Sequence, residues 1–191
     1  MIRINRELLD FIGKIAADES NNFISQHNFS PKKIVIEQGD KIEFVHIIKS
    51  GIAKCYLTNE DGNIFIQEFF GEGVIFGEIE MFNEDETVCA VESMTDLVIY
   101  KISRNNFYKL LEENPQFNRL VLRALAAKIK FKAIRYSNSH LNPIETNLLL
   151  LKKQFPELFK TIAKPDIANY LGVTERSLNR SIKSLREKKL I

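Results

Sequence analysis

The side chains best suited to chemistry lie near the end of the chain, in a short segment rich in arginine and small polar residues. Arg176, Asn179 and Arg180 stand at positions i, i+3 and i+4, so on a helix they share one face. In the DNA major groove, arginine can donate two hydrogen bonds to guanine and asparagine can pair with adenine. The spacing therefore predicts a base-reading helix.

The same segment carries side chains that can hold phosphate groups. Basic residues neutralise the phosphates directly, and hydroxyl groups near a helix start are helped by the positive end of the helix dipole. We expect DNA-backbone contacts from Lys164, Thr174, Ser177, Lys183 and Arg186.

Two short helices joined by a tight turn must position these side chains. Pro165 is typical of a helix start, Ala168 allows a close helix crossing, Gly172 can end the helix, and Thr174 can cap the next one. This order is the helix-turn-helix signature. The alternative is an ordinary three-helix subdomain with a solvated basic face.

The charge distribution favours the first interpretation. The 191 residues are 45% hydrophobic with a formal net charge of only +2. Residues 1–113 nevertheless hold 11 basic and 20 acidic residues, and residues 114–191 hold 16 basic and 5 acidic ones. A basic second part predicts a polyanionic partner, although the charge could also serve only to solvate a helical surface.

The first part of the chain has the pattern of short strands. Six of the eight glycines lie between Gly39 and Gly77, among runs of β-branched and aromatic residues. The sequence Asp61-Gly62 is typical of a hairpin turn. A closed roll of strands is expected, because closure removes exposed edges.

A change of period marks the next region. Ser103 can cap a helix, and Pro115 can open a long one that runs to about Tyr136. Apolar residues then recur every three or four positions, which predicts a homodimer seam; the alternative is packing on the chain's own β domain. The seam residues are Phe117, Leu120, Ala124, Ala127, Phe131 and Ile134.

These elements predict an α+β protein of three parts: a β-roll over residues 1–113, a dimerisation helix over 114–137 and a helix-turn-helix domain over 138–191. With the glycines at 39, 51, 62 and 73 and the stretch FGEIEMF at 76–82, the chain resembles the Crp/Fnr family of bacterial transcription regulators. The resemblance implies a cyclic-nucleotide-binding-like jelly roll as sensor. It also implies double-stranded DNA, a second copy of the chain and RNA polymerase as partners, and no membrane.

The effector pocket implied by the resemblance departs from the nucleotide-binding pattern. Gly77 and Glu78 match the turn that holds phosphate and ribose, but the positions of the usual Arg-Ser pair are Val88 and Cys89. No Lys or Arg occurs between Lys54 and Lys101, and a buried phosphate without a cation is costly. We therefore predict no cAMP binding of the usual kind. A true nucleotide sensor using backbone amides for phosphate stays an alternative.

Other sensors and an enzyme are less well supported. Two cysteines are too few for a four-thiolate cluster, and a haem would need His46, His27 or Cys89 as its axial ligand. A metal-dependent small-barrel enzyme would need clustered ligands, and the three histidines show no short metal spacing. We expect no cofactor, no metal and no catalytic residue.

The two ends of the sequence add two expectations. The first twenty residues are charged throughout, unlike a signal peptide, so we expect a cytoplasmic protein. Crp/Fnr regulators usually continue into a β-wing where this sequence reaches Leu190-Ile191. Whether the wing is absent by nature or cut off is open.

Overall fold

A computed structural model describes residues 2–18 and 22–191, and its N-terminal part is a roll of two sheets. One sheet has the strand order β1-β6-β5-β8-β3 and the other has the order β2-β9-β4-β7. The strands are β1 Ile2–Arg3, β2 Ile24–Phe29, β3 Ile34–Ile36, β4 Phe44–Ser50, β5 Ala53–Thr58, β6 Ile64–Phe70, β7 Ile75–Phe76, β8 Ala90–Ser93 and β9 Leu97–Ser103.

Helices precede, interrupt and follow this roll. They are α1 Arg6–Ala16, α2 Glu78–Asn83, α3 Arg104–Glu113, α4 Pro115–Leu141, α5 Ile144–Gln154, α6 Leu158–Thr161, α7 Lys164–Leu171 and α8 Glu175–Glu187. The predicted α+β class, with the roll first and the helices after it, is confirmed. No helix in the described ranges is both long and apolar enough to cross a bilayer.

The turn between β5 and β6 forms where the sequence predicted a hairpin. Gly62 has φ of 80°, a conformation that costs glycine little and side-chain-bearing residues more. Its amide donates to the Asn59 carbonyl at 2.9 Å, and the Asn59 amide donates to the Asn63 carbonyl at 3.0 Å. These bonds set the register in which β5 and β6 pair.

The long helix α4 begins as predicted but ends later. The Asn114 side chain caps its first turn by accepting from the Phe117 amide at 3.0 Å. The predicted end near Tyr136 was wrong, since α4 continues to Leu141. The physical stop is Pro143, which disfavours helical backbone at Asn142.

The face of α4 that packs on the roll corrects the predicted seam. Phe117, Leu120 and Ala124 are buried in the core that the roll forms within the same chain, so they cannot meet a partner helix. Ala127 and Ile134 lie to one side of that buried face and are exposed. Phe131 is half-buried. The apolar stripe chosen from the sequence is thus largely the helix's attachment to its own β domain.

His46 is a core residue of the roll and not a surface ligand. It is 6% exposed, its ring stacks on Phe76 at 5.0 Å between centroids, and its Nδ1 lacks a hydrogen-bond partner among the described residues. Burial, with the nearby Lys101 charge, lowers the pKa of His46 to about 3. Within residues 2–18 and 22–191, no three or more His, Cys, Asp or Glu side chains are grouped to hold a metal.

This buried neutral histidine predicts an acid-sensitive fold. As pH falls from 6.5 towards 3, the unfolded His46 takes up a proton that the folded one does not, so the free energy of unfolding declines. The contribution of His46 to the free energy of unfolding is complete above about pH 6.5. Between pH 6.5 and 3 it declines with a slope that approaches about 1.4 kcal/mol per pH unit. We expect His46→Leu to flatten the decline, as measured by urea unfolding at several pH values. Equal slopes for the two proteins would contradict this.

Candidate DNA interface and effector pocket

The turn between α7 and α8 has the geometry that the sequence predicted. Gly172 adopts the left-handed conformation, with φ of 67°, and ends α7. The Thr174 hydroxyl then caps α8 by accepting from the Ser177 amide at 3.2 Å. Between these residues, the Val173 amide donates to the Ala168 carbonyl at 3.0 Å. Local hydrogen bonds therefore fix the turn between the two helices.

The inner face of α8 anchors it to the other helices. Leu178, Ile182 and Leu185 are buried together with apolar residues of α5 and α7. Ser181 on the same face is also buried, at 8% exposure. The rotation of α8 about its own axis is thus set by this inner face.

The outer face of α8 presents the predicted base-reading side chains to solvent. Arg176, Asn179, Arg180 and Lys183 are all exposed. Within the described part of the chain, Arg176 and Arg180 form no ion pair, and the Lys183 ammonium lies 3.9 Å from the Glu187 carboxylate. Among the predicted phosphate contacts, Lys164, Thr174 and Arg186 are exposed and Ser177 is half-buried. Residues 164–191 hold seven basic and three acidic residues, so this surface attracts anions.

The helix-turn-helix unit is docked on the roll through Arg135 of α4. The Arg135 guanidinium donates to the carbonyls of Ile66 and Gln67 on β6, both at 2.8 Å, and to the Tyr170 carbonyl on α7 at 2.6 Å. It also lies over the Tyr170 ring, 4.2 Å from the centroid. One side chain of the long helix therefore joins both structural units.

A salt bridge and a ring contact reinforce the same junction. The Lys54 ammonium on β5 lies 3.2 Å from the Asp166 carboxylate on α7, and the Phe69 ring stacks on Tyr170 at 5.2 Å. These long-range contacts carry no local signal in the sequence. Together they position α8 relative to α4.

A lysine of the chain itself pairs with the glutamate of the predicted effector pocket. Gly77, with φ of 84°, starts α2, and Glu78 follows it with no exposure to solvent. The Glu78 carboxylate forms an ion pair with the Lys128 ammonium of α4, which is also buried. The cation missing from residues 55–100 is thus supplied from outside that range, fifty residues after Glu78.

Val88 and Cys89, the other two predicted pocket residues, differ in their exposure to solvent. Val88 is 65% exposed, so its assignment to an enclosed pocket was wrong; it lies in the loop before β8, where no sheet pairing directs its side chain inward. Cys89 is half-buried, and its thiol hydrogen-bonds with that of Cys55 on β5. The interior thus holds Glu78 and Cys89, but not Val88.

A second buried carboxylate lies beneath α4. Glu68 on β6 is 2% exposed and pairs with Arg3 on β1. Burial raises the pKa of Glu68, while the charges of Arg3 and Lys128 oppose that rise. Two buried carboxylates, Glu68 and Glu78, are thus each paired with a cation of the chain.

Comparison with known proteins agrees with this architecture. Residues 26–114 match the family of the cyclic nucleotide-binding domain. The chain is 24% identical over 176 residues to the cAMP-activated global transcriptional regulator CRP of Salmonella typhimurium, covering 86% of this chain and 84% of that one. A lysophospholipase of Aspergillus oryzae is 24% identical over 101 residues, which are 7% of its length.

Three solved structures illustrate the same fold. The c-di-GMP responsive global regulator CLP of Xanthomonas campestris has a TM-score of 0.76 at 15% identity, covering 97% of this chain and 93% of that one. FixK2 of Bradyrhizobium japonicum has a TM-score of 0.71 at 17% identity, with 87% and 86% covered. A CRP/FNR family regulator of Thermus thermophilus has a TM-score of 0.68 at 15% identity, with 86% and 87% covered.

The roll is therefore a cyclic nucleotide-binding domain in its fold. The chain as a whole has the architecture of Crp/Fnr transcription regulators, so the resemblance drawn from the sequence is confirmed.

The buried ion pair predicts an asymmetric response to mutation. Lys128→Met leaves the Glu78 carboxylate buried without its cation, and we expect it to lower the free energy of unfolding by about 3 to 5 kcal/mol. The double variant with Glu78→Gln removes both charges and should recover much of that loss. Lys130→Met, on the exposed side of α4, is the control. Urea unfolding measures wild type and all three variants, and a single variant as stable as the control would contradict the burial of the pair.

Proposed function

We propose that the protein is a homodimeric, sequence-specific DNA-binding transcription regulator whose roll does not bind cAMP in the usual way. The observation that carries this proposal is the outer face of α8, where Arg176, Asn179 and Arg180 are exposed together. Such a face fits the major groove, and the surrounding lysines and arginines fit the phosphates. RNA polymerase as a partner and a cytoplasmic location stay predictions from the family resemblance.

A second apolar stripe on α4 supports dimerisation. Leu122, Ala126, Ile129, Ala133 and Tyr136 recur at steps of four and three, the heptad spacing of a helix pair. All five are exposed, with Leu122 at 60%, Ile129 at 70% and Tyr136 at 67%. The stripe points away from the roll, and a symmetric second copy of α4 would cover it. This stripe replaces the seam predicted from the sequence.

Dimerisation would also serve DNA recognition. A two-fold pair of α8 helices can enter successive major grooves when the subunits hold them about one helical turn of DNA apart. Because Arg135 ties α7 to α4 within each chain, a rigid α4 pair would hold the two recognition helices at a fixed separation.

The effector claim is supported by the Lys128–Glu78 pair. In the regulators that the chain resembles, the glutamate of this turn receives ribose hydroxyl groups. Here the Glu78 carboxylate already has a buried cationic partner, and residues 55–100 supply no Lys or Arg for a cyclic phosphate. Binding of cAMP at this turn would require breaking the buried Lys128–Glu78 ion pair, which would leave the Glu78 carboxylate without its cation.

The dimer interface can be tested with neighbouring substitutions on α4. Ala126→Glu would bury an unpaired carboxylate between two helices, and we expect it to convert the dimer to a monomer. Ala127→Glu is the matched control, because residue 127 is exposed on another side of the helix, and it should stay dimeric. Light scattering at micromolar concentration distinguishes them. A monomeric wild type, or dissociation by Ala127→Glu instead, would contradict the assignment.

The recognition helix can be tested by separating base contacts from phosphate contacts. Arg180→Ala should cost about 1 to 3 kcal/mol of specific DNA binding and relax the preference at one base position in each half-site. Lys183→Ala should weaken binding to all sequences alike and reduce the salt slope by about one for each phosphate that is no longer neutralised. Lys14→Ala, on α1 of the roll, should change neither property.

These DNA measurements use fluorescence anisotropy on a selected operator and a scrambled duplex across a salt series. If Arg180→Ala and Lys183→Ala both bind the selected operator as tightly as wild type, α8 is not the recognition helix.

A further inference from the structure

The two cysteines of the chain meet inside the roll, although they lie far apart in sequence. Cys55 is on β5, opposite Val91 of β8. Cys89 directly precedes β8, whose first residue, Ala90, pairs with Tyr56 next to Cys55. The two thiols are hydrogen-bond partners. Neither cysteine is in a disulfide, and both are half-buried.

The surroundings of the pair distinguish the two sulfur atoms. The hydrogen bond from Cys55 lowers the pKa of Cys89, burial and Glu80 of α2 oppose that change, and Lys132 of α4 favours it. The same hydrogen bond raises the pKa of Cys55, and so do burial and the Glu68 charge, against Lys128. Cys89 is therefore the thiol that more readily becomes a thiolate, and the thiolate is the nucleophile.

We propose that Cys55 and Cys89 form a redox site at which a hydroperoxide oxidises the two thiols to an intramolecular disulfide. The Cys89 sulfur attacks the peroxide, the O–O bond breaks, and an alcohol or water leaves with a proton, so Cys89 becomes a sulfenic acid. The Cys55 sulfur then attacks the Cys89 sulfur and loses its proton, and the S–O bond breaks to release water. The two thiols give up two electrons, and the peroxide accepts them.

Oxidation of this cysteine pair would affect the rest of the molecule through α4. Charges of α4 act on both thiols, because Lys128 lowers the pKa of Cys55 and Lys132 lowers that of Cys89. A disulfide would change the sheet against which α4 packs, and α4 carries the proposed dimer face. Control of DNA binding by this oxidation rests on the proposed function, whereas the thiol chemistry does not.

Intact-protein mass spectrometry tests the chemistry directly. Reduced wild type treated with one equivalent of hydrogen peroxide should lose two hydrogen atoms and yield a cross-linked peptide that joins Cys55 to Cys89. Cys55→Ser should stop at one added oxygen on Cys89, captured by dimedone, and Cys89→Ser should stay unmodified over the same time. Absence of the cross-link in wild type, or oxidation of Cys89→Ser as fast as wild type, would overturn the proposal.

DNA binding of the reduced and oxidised proteins tests the regulatory part. We expect their affinities for a selected operator to differ by about fivefold or more, while Cys89→Ser shows no response to peroxide. Equal affinities of the two wild-type forms would overturn control by oxidation. If neither form binds any DNA while the disulfide still forms, the proposed function fails and the redox site stands.

Discussion

The rotation of α4 about its own axis is the constraint on which the other features depend. Burial of Phe117, Leu120 and Val121 in the roll core fixes that rotation, because a helix has only one orientation that buries a given face. The directions of the other α4 side chains then follow from the 3.6-residue period of the helix. Lys128 then points into the roll at Glu78, the stripe that includes Ile129 points to solvent, and Arg135 reaches β6 and α7.

The Lys128–Glu78 pair gives this helix a chemical role in the roll. Two buried charges gain little net stability, since their desolvation offsets much of their attraction, yet removing one of them is costly. The pair therefore acts less as a source of stability than as a lock on the position of α4. It also links the turn at Gly77 of the roll directly to α4 without any nucleotide.

Local signals made the C-terminal helices predictable from sequence. Gly172 and Thr174 act within a few residues of their own positions, so the turn and the start of α8 were predicted correctly. The packing of Phe117, Leu120 and Ala124 on the roll was not predicted, because α4 carries two interleaved apolar stripes and periodicity cannot say which one meets the roll. Lys128 was missed because its partner is fifty residues away, and Val88 was misplaced because an irregular loop has no period to orient its side chains.

DNA binding in the absence and presence of cAMP most directly tests whether the Lys128–Glu78 pair makes the nucleotide unnecessary. Fluorescence anisotropy with purified, reduced wild-type protein and a selected operator gives both dissociation constants. If Lys128 replaces the nucleotide, the protein should select its operator with no nucleotide added, and saturating cAMP should leave the dissociation constant unchanged. Operator binding that arises only after cAMP is added would contradict this and show that the nucleotide displaces Lys128 from Glu78.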